Sequence, residues 1–266
     1  MFLYSGKTSV KEEIWYNGPM TTNEISLAKT YDKCKTKEPN LTVVLIHGIA
    51  SDSRDYAKGL EHFENDSSLD EVRFVTFDLL GSGKSLKDDE RLNYDYEDQI
   101  GALNNAIDEL DVKTPLILVG HSLGTFIVTR FAATYPKKVN ELVLLSPPIF
   151  TKKDFDNPAL MAGIEAFKKI VGTKFPGILK EKSFNNSMEK IVFDKENYDV
   201  LTILSIPTTL IYGEGDQLIA SFNIPGVLKK NAKISAIKTE GRHSITHDKY
   251  EKLADILEES LKGAKK

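Results

Sequence analysis

Residues Pro115 to Pro136 constrain the fold of this chain more than any other stretch. The run Pro115-Leu-Ile-Leu-Val119 has the length and apolar density of a strand buried on both faces. It is closed by Gly120-His-Ser-Leu-Gly124. Thr125 to Tyr135 then reads as a mostly apolar segment of helix length, stopped by Pro136. A buried strand, a glycine-flanked serine and a buried helix in succession predict a sharp elbow. In it Gly120 and Gly124 let backbones approach closely, and Ser122 stands at the strand's carboxyl end beside the helix start. The alternative, a glycine-rich turn whose serine only caps a helix, is disfavoured by the buried segments on both sides.

The rest of the chain alternates in the same way. Leu41-Thr-Val-Val-Leu-Ile46 is a buried strand running into His47-Gly48-Ile49-Ala50, and an amphipathic segment from Asp52 carries Tyr56, Leu60 and Phe63 on one face. Val72 to Phe77 is a strand ending in the loop Asp78-Leu-Leu-Gly-Ser-Gly-Lys-Ser85. Ile100, Leu103, Ile107 and Leu110 mark a helix over Tyr96 to Leu110, and Glu141 to Ser146 is another buried strand. Ile206 to Tyr212 is a strand with its proline near the start, closed by Gly213-Glu-Gly-Asp216. Lys233 to Lys238 is the last strand, followed by Thr239-Glu-Gly-Arg-His243 and a helix with Tyr250, Leu253, Ile256 and Leu257 inward. Such alternation predicts a mainly parallel sheet covered on both sides. Upstream, Lys11 to Tyr16 and Glu24 to Tyr31, joined through Asn17-Gly-Pro19, read as an antiparallel hairpin.

The alternation breaks at Pro147-Pro148. From there to about Leu204 no strong strand is present. Leu160, Ile164, Phe167 and Val171 mark an amphipathic helix, while Phe175, Phe184, Phe193 and Tyr198 are scattered. This predicts a helical cap over 147–204, inserted into a core of 1–146 and 205–266. Phe167 and Phe175 are its candidate substrate-binding residues.

Composition narrows the partners. The 266 residues suit one α/β domain with an insertion, and a net charge of −4 with both signs interspersed offers no basic face to nucleic acid or anionic lipid. The single cysteine, Cys34, permits no intrachain disulfide and no cysteine pair for a metal. The N-terminus lacks the pattern of a signal peptide, and no apolar run reaches membrane-spanning length. The glycosylation patterns at Asn40, Asn65 and Asn185 are therefore read as chance. A cytoplasmic protein acting on a small molecule is expected, with no nucleic-acid or membrane partner, no metal and no cofactor.

A serine hydroxyl needs a histidine to take its proton and a carboxylate to hold that histidine in the right tautomer. Among five histidines, His121 neighbours the serine and is expected to point away from it. His62 lies in a polar helix-end context, and His47 belongs to a strand-ending turn. His243 follows the last strand at the edge where open α/β sheets bind ligands. His247 sits where a helix should begin, so His243 is preferred. Asp216, after the preceding strand, completes the chain order Ser, Asp, His and is preferred to Glu214 and Asp78. The backbone N–H groups of Leu123 and Ile49 are the candidate oxyanion donors.

Taken together, the His47-Gly48 turn, Asp78-x-x-Gly81-x-Gly83-x-Ser85, Gly120-His-Ser-Leu-Gly124, Gly213-x-x-Asp216 and His243 make the chain resemble the α/β-hydrolase superfamily over nearly its whole length. The resemblance implies a mainly parallel eight-stranded sheet flanked by helices, with a helical cap inserted after the sixth strand. Serine at 122 argues against the dehalogenase and epoxide-hydrolase branches, which use aspartate there. The elbow also lacks the Gly-Gly-Ser-Trp-Gly form of proline iminopeptidases. A carboxylesterase or monoacylglycerol-lipase-like serine hydrolase is expected. Thioester or carbon–carbon bond hydrolysis remains an alternative, as does a ligand-sensing protein that keeps the same residues.

Overall fold

The computed structural model describes residues 25–172 and 180–264. Among them, seven strands form one sheet in the order β1-β3-β2-β4-β5-β6-β7. These are β1 (Ala28–Lys33), β2 (Leu41–Ile46), β3 (Val72–Asp78), β4 (Leu116–His121), β5 (Glu141–Leu145), β6 (Thr208–Gly213) and β7 (Ile234–Thr239). All pairings are parallel except that of β1 with β3.

The apolar runs explain why the sheet is covered twice. Every residue of β2 and β4 is buried. Leu41, Val43, Leu45, Ile117 and Val119 face one side, where α1 (Ala57–Glu64) contributes Leu60 and Phe63 and α8 (His247–Ala264) contributes Tyr250, Leu253 and Leu257. Val44, Ile46, Leu116 and Leu118 face the other, against Leu103 and Ile107 of α2 (Tyr96–Glu109) and Ile127 and Phe131 of α3 (Leu123–Thr134). Each such side chain contributes about 1.5–3 kcal/mol on burial. Both faces of the strands are therefore mainly apolar, although Thr42 of β2 and His121 of β4 are buried polar residues.

The strand order positions the site. The chain leaves β2 for β3 on one side, crosses back to β4 on the other, and continues outward to β5, β6 and β7. The connections after β2 and β4 thus part in opposite directions, which opens a crevice at the carboxyl ends of those two strands. Ser122 follows β4, and His47-Gly48-Ile49 follows β2.

Among the described residues the sheet has seven strands where eight were expected, and the helical segment expected over 147–204 follows β5, the strand at Glu141–Leu145. The Lys11–Tyr16 arm of the hairpin lies outside the described residues. The arm within them, β1, hydrogen-bonds antiparallel to β3 at the end of the described sheet, with a register shift between Lys29 and Tyr31.

Between β5 and β6 the described residues form α4 (Pro158–Gly172), α5 (Glu181–Ser187), a π-helical turn over Met188–Val192 and α6 (Asn197–Ile203), and no strand. Arg130 of α3 ties this segment to the sheet side: its guanidinium donates to Asp194 at 2.7 Å and lies 4.8 Å from the centre of the Tyr96 ring. Asn197 donates to Ile191 O at 2.6 Å. No helix among the described residues is long and apolar enough to cross a membrane.

Candidate active site

The elbow is held in a conformation that serine would not adopt unaided. Ser122 has φ 49° and ψ −114°, a strained region that costs on the order of 1–3 kcal/mol. Its N–H donates to Leu145 O at 3.0 Å, and its carbonyl accepts from Thr125 N at 3.0 Å and Thr125 Oγ1 at 2.6 Å. Glycine is needed on both sides. A Cβ at Gly124 would stand 2.3 Å from Ile46 O, and one at Gly120 would stand 2.5 Å from Gly124 O.

Three loops then converge. His243 Nε2 lies 2.8 Å from Ser122 Oγ, and His243 Nδ1 lies 2.9 Å from Asp216 Oδ2 and 3.2 Å from Oδ1. The carboxylate can only accept, so Nδ1 carries the proton and Nε2 offers its lone pair to the serine hydroxyl. Asp216 has a fully buried side chain. Burial alone would raise its pKa, but the His243 hydrogen bond and charge, the Leu218 N–H at 3.0 Å and the charge of Lys249 hold it below the ordinary carboxylate value. Asp216 therefore stays an anion behind a half-buried imidazole, and the arrangement can withdraw the hydroxyl proton as the oxygen attacks a carbonyl.

The competing residues are engaged elsewhere. His247 is exposed at the start of α8, 3.4 Å from Glu251, with its ring edge-on to His62. Asp78 accepts from Ser53 N at 2.8 Å and Lys84 N at 2.7 Å, which folds the glycine-containing loop around it. Glu214 pairs with Lys238. His47 is fully buried: its Nδ1 donates to Gly48 O at 2.7 Å and its Nε2 accepts from Leu79 N at 2.9 Å. Burial pushes its pKa down, so it is a neutral clamp between the loops after β2 and β3.

That clamp fixes the path of the loop bearing Ile49. A Cβ at Gly48 would stand 3.2 Å from Ser122 Cβ, so the loop passes directly over the serine. Leu123 opens α3, and its N–H is among the first-turn donors that a helix leaves without a partner of its own. Phe167 is half-buried on α4, with its ring 6.5 Å from that of Phe184. Phe175 lies outside the described residues. Among the described residues no group of three or more His, Cys, Asp or Glu side chains could hold a metal ion.

Two further side chains escaped the sequence reading. His121 does not simply point away: its ring is 5.3 Å from that of His243, and its Nε2 donates to His243 O at 2.9 Å. Lys249 is fully buried beneath the same loop. The only sequence signal was their nearness to Ser122 and His243, which is too weak to assign contacts.

Residues 42–177 match the family described as alpha/beta hydrolase fold. The chain belongs to that family. Among curated relatives, the "Probable lysophospholipase BODYGUARD 2" of Arabidopsis thaliana is 31% identical over 153 residues, which are 57% of this chain and 32% of that protein. The chain thus spans about a third of that relative's length. Among solved structures, an esterase from Exiguobacterium antarcticum superimposes with a TM-score of 0.70 at 18% identity, covering 90% of this chain and 98% of that one. A monoacylglycerol lipase from Paleococcus ferrophilus gives a TM-score of 0.61 at 20% identity, covering 90% and 100%. At such identities the likeness is one of fold.

Proposed function

We propose that this α/β hydrolase is a serine hydrolase that cleaves a small-molecule carboxylic ester through an acyl-enzyme at Ser122. The observation that carries the reading is the unbroken relay from Ser122 Oγ through His243 to the buried Asp216 carboxylate. Oγ attacks the ester carbonyl while Nε2 takes its proton. Asp216 orients the ring and stabilises the imidazolium, and the Leu123 and Ile49 N–H groups receive the oxyanion. The imidazolium then protonates the departing alcohol. Water, deprotonated by the same Nε2, attacks the acyl carbon and frees Ser122.

The helical segment between β5 and β6 acts as a cap over this site, and its apolar side chains grade the acyl or alcohol group admitted. The similarity to a probable lysophospholipase, and the fold shared with an esterase and a monoacylglycerol lipase, accord with this reading. A panel of p-nitrophenyl esters of increasing acyl length tests it. Multiple turnovers that vanish in Ser122→Ala are expected. Labelling of Ser122 by a fluorophosphonate with no turnover on any ester or thioester would instead favour a ligand-sensing protein.

A further inference from the structure

The segment that carries His243 is neither helix nor strand, yet three consecutive carbonyls of it are held from below. Arg242 O accepts from Lys249 Nζ, His243 O accepts from His121 Nε2 at 2.9 Å, and Ser244 O accepts from Lys249 Nζ at 2.8 Å. The third ammonium hydrogen of Lys249 goes to Ser146 Oγ at 2.8 Å. An ammonium has three donors and no acceptor, so Lys249 is fully used.

Both donors are unusual places to put such groups. Lysine is almost never fully buried unless paired, because stripping water from the ammonium costs several kcal/mol. Here it has no exposure at all. His121 is buried too, and because its Nε2 donates, its Nδ1 is left as a lone pair with no hydrogen-bond partner. Burial first, and then the neighbouring charges of His243 and Lys249, push its pKa down to about 3, against weaker opposing effects of the His243 carbonyl and Asp216. It therefore acts as a neutral donor.

The two residues also refer the segment to the right parts of the fold. His121 ends β4 and immediately precedes Ser122, whereas Ser146 directly follows β5, next to β4 in the sheet. The backbone of His243 is thus tied to the strand that presents the nucleophile, through one ring, and to the neighbouring strand, through one ammonium.

We infer that Lys249 and His121 are positioning residues for His243, forming a buried cradle that keeps its Nε2 in register with Ser122 Oγ. The inference rests on the serine-hydrolase reading above. Reacting groups displaced by about 1 Å lose on the order of 10²-fold in rate, so the cradle acts on turnover and not on substrate affinity.

Lys249→Met and His121→Phe, made in the full chain, test this. Circular dichroism verifies the fold, and kcat, KM for a p-nitrophenyl ester and the second-order rate of fluorophosphonate labelling are then measured. Each variant is expected to lower kcat and the labelling rate together by about 10²-fold, with KM within about threefold of wild type. The double variant should lose less than the product of the two, since both hold one segment. If Lys249→Met does not fold, His121→Phe decides. If neither folds, the inference is overturned, because both residues then belong to the framework. A labelled wild type whose folded variants react at its own rate overturns the inference alone. A wild type that takes no label overturns the serine-hydrolase reading and the inference with it.

Discussion

At the scale of single residues, the site uses each side chain for one property its neighbours lack. Ser122 is held at a positive φ with Oγ 2.8 Å from His243 Nε2, His243 turns its Nδ1 to Asp216, and Asp216 is an anion with a fully buried side chain. Ser122→Ala removes only one oxygen, so the fold should persist while ester hydrolysis falls by about 10³-fold or more, read as kcat/KM beside an unchanged circular dichroism spectrum. His243→Ala should be as inactive, whereas His247→Ala should keep wild-type turnover, because His247 is exposed and paired with Glu251. The reverse pattern would mean that the wrong histidine has been chosen. Ser122, Asp216 and His243 were legible because each ends a strand-loop unit and they follow in an order that convergent loops can assemble. His121 and Lys249 were not. Their contacts arise only when the 242–244 backbone folds back over β4, and no local pattern encodes that return.

At the scale of elements, the elbow works because two backbones touch where side chains would stand. Gly124→Ala would place a methyl group 2.3 Å from Ile46 O and 2.7 Å from His47 O. Overpacking of this kind should destabilise the protein by about 1–3 kcal/mol or more, measured by urea denaturation. A fully stable Gly124→Ala protein would contradict the close approach of α3 to β2. The helical segment after β5 gives a different test: Phe167→Ala should shift the preferred acyl length in an ester panel by a graded amount, while Ser122 still takes label. An unchanged profile would locate selectivity in the loops of the sheet. Strands and helices were legible here because apolar runs of strand length alternate with segments of 3.6-residue period. The partner of β1 was not, since alternation marks a strand without saying which edge it joins. Within the described residues Ala28–Lys33 lies against β3, and the other arm of the hairpin expected through Asn17-Gly-Pro19 lies outside them.

At the scale of the whole molecule, burial of neutral histidines links stability to pH. His121 has its pKa pushed down to about 3, and that of His47 is lowered as well, both chiefly by burial. In the unfolded chain each would titrate near about 6.5, so below that pH the unfolded state binds more protons than the native state. Stability is therefore fully present above about pH 6.5. It should fall as pH drops, by up to about 1.4 kcal/mol per unit per histidine, with the His121 share continuing to about pH 3. The depressed pKa of Asp216 adds a further loss only below the unfolded carboxylate value of about 3.9. Urea midpoints at pH 7.5 and 5 should show this decline, and His121→Phe should reduce its slope. A flat profile would contradict the neutral buried rings. The relay itself exists only in the folded chain, since Ser122, Asp216 and His243 come from loops far apart in sequence. The most direct measurement is therefore fluorophosphonate labelling of the native protein, with the modified residue located by peptide mass spectrometry. One phosphonyl group on Ser122, absent from Ser122→Ala and from urea-unfolded protein, is the result predicted. A native protein that takes no label, or takes it on another residue, would contradict the assignment.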